Sequence, residues 1–182
     1  MRYVALFRGI NVGKAKRVAM ADLRALLGNM GFTDVATLLN SGNAVFTADA
    51  EPANGLAARI RAEVAKKLKV DALVIVKSRK DIAAILKGNE LEKVADASRL
   101  LVAMANDPKV IIALKKWTRQ TWGDDRVHVN VHAAYLWCAN GILESKLAES
   151  LLKDLSGAGT TRNWATLNKI HALLEDCAAD GR

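Results

Sequence analysis

Four short segments of this sequence concentrate hydrogen-bond donors where an element starts or stops. They are Arg8-Gly9-Ile10-Asn11-Val12-Gly13, Asn40-Ser41-Gly42-Asn43, Ser145-Lys146 and Thr160-Thr161-Arg162-Asn163-Trp164. Backbone amides at a helix start, with Ser, Thr, Asn and Arg side chains beside them, make a natural anion site. The residues expected to hold such a ligand are Arg8, Asn11, Ser41, Asn43, Ser145, Lys146, Thr161, Arg162 and Asn163. The last segment is the strongest single candidate, because a threonine cap, an arginine and an asparagine at a helix N-terminus could hold a phosphate or carboxylate. Each segment also has an inert alternative. Ser41-Gly42-Asn43 can be hairpin geometry alone, Thr161 a cap alone, Trp164 core filling, and Arg8 and Arg162 ion-pair partners for Asp or Glu.

Several enzyme signatures are excluded. Gly9-Ile10-Asn11-Val12-Gly13-Lys14 has three intervening residues where a phosphate loop needs four, and Ala15 replaces its magnesium-binding hydroxyl. There is no Gly-x-Ser-x-Gly elbow and no His-Glu pair of metalloprotease type. His128 and His132 lie four apart on an expected strand, about 13 Å at roughly 3.3 Å per residue, too far to share a metal. His171 is expected to be a partly buried helix residue, and Asp124-Asp125 a solvated loop pair. No metal and no cofactor is expected.

The elements that must position these residues come from a chain of 182 residues with a formal net charge of +8. That length can bury one large core or two small ones. Residues 1–95 hold 16 Lys/Arg against 9 Asp/Glu, and residues 96–182 hold 11 against 10. A basic half attracts polyanions non-specifically, although charge alone also serves solubility. No apolar run approaches the roughly 20 residues needed to span a bilayer, and the N-terminus lacks a signal-peptide pattern. A cytoplasmic protein without a membrane partner is expected. Cys138 and Cys177 are in no ligand spacing and read as two separate buried thiols.

Hydrophobic periodicity places a strand at 3–8, a helix over 20–30 ended by Gly31, and a hairpin of 35–39 and 44–47 around Asn40-Ser41-Gly42-Asn43. A helix marked by Leu56, Ile60, Val64 and Leu68 follows, then a strand at 73–76 and a helix opened by Ser78. From Arg99 the order begins again. A strand at 100–105 leads to Asp107-Pro108, which carries an N-cap carboxylate and a proline at the first helical position. A hairpin of 127–131 and 135–139, a helix marked by Leu147, Leu151, Leu152 and Leu155, and a break at Gly157-Ala158-Gly159 follow. Thr160 or Thr161 then caps a last helix with Leu167, Ile170, Leu174 and Cys177 on one face. The expected fold is α+β, two tandem ferredoxin-like βαββα units with an extra C-terminal helix. Their expected spans are 1–92 and 93–182.

Tyr135 and Trp137 share one face of their strand, and aromatics on an open sheet face can stack nucleic-acid bases. Tyr3, Ala5 and Phe7 on one face and Val4 and Leu6 on the other are all apolar, which signals a sheet buried on both sides. The expectation is that the open sheet faces cover each other or meet a second subunit.

Arg8-Gly9-Ile10-Asn11-Val12-Gly13, Ser41-Gly42-Asn43-Ala44-Val45-Phe46, Ser145-Lys146-Leu147 and Thr160-Thr161-Arg162-Asn163-Trp164 resemble the landmarks of a bacterial family. It is the one catalogued as domain of unknown function sixteen-ninety-seven. The resemblance implies duplicated ferredoxin-like units and no assigned reaction. The chain departs from it at Lys14, where members usually have a second glycine, and at Glu144, where they often carry a basic residue.

Three functions stay open. The first is binding of an anion, either nucleic acid or a phosphorylated metabolite, at the loops of the two halves. The second is an enzyme acting on a phosphorylated or carboxylated small molecule through Ser41, Ser145, Lys146 and Arg162. The third is a structural or oligomeric adaptor, such as a homodimer, that uses apolar sheet faces.

Overall fold

The computed structural model describes residues 1–13, 16–91 and 96–176. Chain order is β1 (Arg2–Phe7), α1 (Met20–Asn29), β2 (Thr33–Leu38), β3 (Asn43–Thr47), α2 (Ala53–Leu68), β4 (Val74–Ser78), α3 (Arg79–Lys87), β5 (Leu100–Ala105), α4 (Pro108–Ala113), β6 (Arg126–Val129), β7 (Ala134–Trp137), α5 (Lys146–Asp154), β8 (Gly159–Asn163) and α6 (Trp164–Asp176). Short 3-10 turns lie at Leu114–Arg119 and Ile142–Glu144. The fold is α+β, with two four-stranded antiparallel sheets in the orders β2-β3-β1-β4 and β6-β7-β5-β8.

Two compact units result. One is Met1–Lys80 together with the chain from Ile170 on, and the other is Asp81–Lys169. The division therefore falls inside α3 and again inside α6. The boundary expected between 92 and 93 lies outside the described residues, as do Lys14 and Cys177.

In the first unit, alternate residues of β1 point into one core. Tyr3, Ala5 and Phe7 join Ala44 and Phe46 of β3 and Val74 and Val76 of β4, beneath Leu23 and Leu27 of α1 and Leu56, Ile60 and Val64 of α2. The period of two on the strands and the i, i+4 stripe on α2 are what bring these side chains together. In the second unit Leu101, Ala103 and Ala105 of β5 pack with Leu136 of β7 and with Ile111, Leu147 and Leu151. Asp107 caps α4 as expected, accepting the Lys109 N–H at 2.8 Å, with proline at the first helical position.

The other face of each sheet is buried too. Val4, Leu6, Val45 and Ile75 are fully buried, and so are Leu100, Val102, Met104 and Tyr135. The Tyr135 hydroxyl donates to the Ile85 carbonyl at 2.6 Å. Tyr135 is thus a core residue and is closed to stacking bases. Among the described residues these apolar positions on both faces of each sheet are thus buried.

The second half differs from expectation at its end. Thr160, Thr161, Arg162 and Asn163 are not the start of a helix. They form β8, paired with β5 in the register Met104↔Thr160, Ala103↔Thr161, Val102↔Arg162 and Leu101↔Asn163. The cap of α6 is Asn163, whose Oδ1 accepts the Thr166 N–H at 2.9 Å. With β8 present, the second half is a complete βαββαβ series.

Candidate functional site

At the end of β1 the chain must turn sharply, and the loop after Phe7 does so through a run of left-handed residues. Gly9, Asn11, Gly13 and Lys16 have φ of +69°, +56°, +62° and +51°. Asparagine tolerates this region better than most residues because its short amide bonds locally. Here the Asn11 amide works as a clamp. Its Oδ1 accepts the Val18 N–H at 2.8 Å, and its Nδ2 donates to Val18 O at 2.8 Å and Asn40 O at 2.9 Å. The Asn11 N–H donates to Lys16 O at 3.0 Å. One side chain so ties the 8–18 loop to the β2–β3 turn.

That turn is held from its other side by Asn43, which is fully buried. Its Nδ2 donates to Leu38 O at 2.8 Å and reaches Ser41 Oγ at 3.3 Å. Gly42 has φ +84° and presents its carbonyl to the Phe7 N–H at 2.9 Å. Ser41 is exposed and Arg8 is half-buried, its backbone N–H bonded to Leu73 O. Asn11 and Asn43 are therefore loop fasteners, each donating its side-chain amide to backbone carbonyls of the unit it sits in.

A cleft of about 370 Å³ opens beside this clamp, lined by Asn11, Arg17, Val18, Ala19, Met20 and Asn40. Arg17 is exposed and has no partner among the described residues. Its neighbour Lys16 donates Nζ to Asp71 O at 2.9 Å. In the sequence Arg17 is one of the 16 Lys/Arg of residues 1–95, and nothing in the spacing says which cation stays unpaired.

The second unit holds the other five expected residues, in two places. Ser145 is the N-cap of α5, its Oγ accepting the Ala148 N–H at 2.9 Å and donating to Asp125 Oδ2 at 2.7 Å. Asp125 Oδ1 accepts the Ala139 N–H at 2.8 Å. Asp125 is thus a fixed bridge between the 121–125 loop, β7's end and α5, where a solvated loop residue was expected. Lys146 is exposed beside a cleft of about 530 Å³ that also takes in Trp122, Asp124, Asp125 and Glu144. Three carboxylates against one lysine make that cleft unsuited to an anion.

Thr161, Arg162 and Asn163 lie along β8. Arg162 Nη1 donates to Thr160 Oγ1 at 3.0 Å and Thr161 O at 2.7 Å. Burial pushes its guanidinium pKa down to about 10, because desolvation disfavours the cation. Asn163 is the α6 cap described above. Among the described residues no group of His, Cys, Asp and Glu is arranged to hold a metal, and no helix is long and apolar enough to cross a membrane.

Cys138 is fully buried. Burial pushes its thiol pKa up, a hydrogen bond with Ser145 opposes that, and the nearby Asp125 charge adds to the rise. The thiolate is the reactive form, so this sulfur is inert in the native state. In a Cys177→Ser background, a thiol-specific reagent at neutral pH should label the folded protein on the order of 100-fold more slowly than the urea-unfolded protein. Equal rates would show that Cys138 is open to solvent.

The family described as "Protein of unknown function (DUF1697)" matches residues 1–135. The first two landmark segments fall within that range, and the Ser145-Lys146-Leu147 and Thr160–Trp164 segments lie beyond it. A solved structure of a conserved bacterial protein from Streptococcus pneumoniae is similar over 95% of this chain and 98% of that one, with a TM-score of 0.79 and 26% identity. No curated protein matches this chain.

Proposed function

The chain belongs to the DUF1697 family, whose description supplies no activity, and from its own residues we propose that its first unit binds a phosphate-bearing ligand at the cleft beside Arg17. The observation that carries this reading is an exposed, unpartnered guanidinium beside a cleft whose walls are fixed by the Asn11 clamp. An arginine that makes no ion pair breaks none when it meets an anion, and its planar fork loses less freedom per hydrogen bond formed than a lysine does. The charge balance supports the same half. The first unit carries 15 Lys/Arg against 9 Asp/Glu, and the second carries 12 against 10.

The ferredoxin-like reading of the units is supported by their common strand order and by the βαββαβ series in each. Ferredoxin-like RNA-binding modules stack bases on aromatics of an open sheet. With Tyr135 buried, recognition here rests on phosphate contacts at loops, which favours a small phosphorylated metabolite over a base-reading interface.

The test compares the parent with Arg17→Glu. Pyrophosphate binding followed by calorimetry should weaken about tenfold or more in the variant, since a charge-assisted contact is replaced by a repulsion. A dye-labelled single-stranded RNA, followed by anisotropy, distinguishes the two sources of phosphate. If RNA is the ligand, log K falls steeply with log salt, and the variant's slope is shallower by about one. Unchanged affinity of Arg17→Glu for both probes removes the reading.

A further inference from the structure

The opposite end of the same sheet holds a buried cation that is short of acceptors. Arg2 opens β1, and its side chain is only 10% exposed. Nη2 donates to Leu173 O at 2.9 Å, Nη1 reaches Thr47 Oγ1 at 3.4 Å, and Nε has no acceptor. The one carboxylate oxygen paired with it among the described residues, Asp34 Oδ2, is 4.0 Å away on a side chain 54% exposed. A buried N–H left without an acceptor costs about 1–3 kcal/mol. Such groups survive in native proteins mostly where an ordered water or ion completes them.

A cavity of about 380 Å³ opens at this point, with Arg2, Asp34, Thr47, Ser78, Arg79 and Lys80 in its lining. Register explains the convergence. Arg2 pairs with Thr47 across β3, which puts the guanidinium and the threonine hydroxyl on one face, and β4 ends alongside them at Ser78, opposite Tyr3. Arg79 and Lys80 follow directly in chain. Arg79 is paired with Glu175 at 3.4 Å, and Lys80 is exposed with no partner among the described residues. The lining thus carries three cations against the single carboxylate of Asp34.

We propose that this cavity is a second ligand site, which takes the phosphoryl group of a small phosphomonoester. A phosphoryl group offers several acceptor oxygens in a tetrahedral array and a double negative charge, which suits an arginine fork flanked by a threonine hydroxyl and further cations. The volume is at the low end for ligand pockets, which suits a small phosphomonoester. The site is independent of the Arg17 cleft. Five residues of β1 separate the two ends, roughly 16 Å at about 3.3 Å per residue.

The experiment uses the full chain labelled with nitrogen-15, titrated with inorganic phosphate and then glycerol 3-phosphate, with potassium chloride at matched ionic strength as control. Both phosphates should give saturable shifts of the Thr47, Ser78 and Lys80 amides that chloride does not produce. The exposed pair Arg79→Ala/Lys80→Ala should weaken that titration about tenfold or more while leaving the rest of the spectrum in place. Arg17→Glu should leave it unchanged, so failure at either site is read separately from the other. Amides that do not shift at about 20 mM phosphate, or a double variant that titrates like the parent, would overturn the proposal.

Discussion

Replacing Gly42 by alanine should cost about 3–4 kcal/mol and lower the melting temperature by roughly 10 °C. Two separate penalties contribute. The residue has φ +84°, a conformation that L side chains rarely adopt and that costs an alanine about 1–2 kcal/mol. In addition, a Cβ built there would sit 2.5 and 2.8 Å from the Ile10 side chain and 2.8 Å from Phe7 Cβ. Ile10 and Phe7 are both 1% exposed and have nowhere to move. Overpacking of that kind adds typically 1–3 kcal/mol. For a chain of this size each kcal/mol shifts the midpoint by about 2–4 °C. Gly9→Ala is the control, since it shares a positive φ of +69° but has no atom within 4 Å of its would-be Cβ. It should lose only the conformational part. Thermal melts by circular dichroism that place the two variants together would show that the packing of the turn on Ile10 has no weight.

Gly159→Ala is expected to be as damaging for a different reason, since no positive φ is involved. Its Cβ would lie 2.4 Å from Leu155 Cδ1 and 2.6 Å from the Met104 carbonyl oxygen. The side chain can yield in part. The carbonyl belongs to β5, whose neighbours β7 and β8 hold it in the ladder, so either the strand pairing or the α5–β8 turn must open. A loss of about 3 kcal/mol or more is expected in urea unfolding. Trimming the neighbour in a Gly159→Ala/Leu155→Ala protein should cost less than the sum of the two single changes, because they share the clash. A single alanine variant within about 0.5 kcal/mol of the parent is incompatible with β8 lying against β5 at this spacing.

The strand that this second substitution probes is the one that the sequence hid. Gly159-Thr160-Thr161-Arg162-Asn163 contains no large apolar residue, and two of its neighbours are glycine or alanine. It is an edge strand, with a partner on one side alone, and edges tolerate polar residues. A threonine pair before a helix then looks like a cap, and the true cap, Asn163, stands two residues later. By contrast β1, β5 and the stripe of α2 were legible to within a residue or two. Strands covered on both faces must be apolar throughout, and helices over a core must repeat at 3.6.

Candidate site residues were legible as donors, but not as donors with a free hand. Asn11, Asn43, Ser145 and Asn163 were picked out because they stand at the ends of elements. The backbone groups they satisfy stand at the same ends, so the signal for a ligand site and the signal for a cap are chemically the same. What separates them is geometry from distant sequence, such as the Asn40 carbonyl for Asn11 or Asp125 for Ser145. Arg2 was more readable than it looked. Alternation puts it on the same face of β1 as Val4 and Leu6, and a charged residue in phase with fully buried neighbours calls for a partner.

The first unit is assembled from both ends of the chain, and this bears on how the molecule is made. A ribosome releases Met1–Lys80 long before the segment from Ile170 on, which carries the Leu173 carbonyl that Arg2 donates to. At synthesis rates of about 5–20 residues per second, the nascent first unit waits on the order of 5–18 s for its closing piece. Asp81–Lys169 is contiguous and emerges whole, so the inserted unit can complete its fold while the host that surrounds it in the sequence is still unfinished.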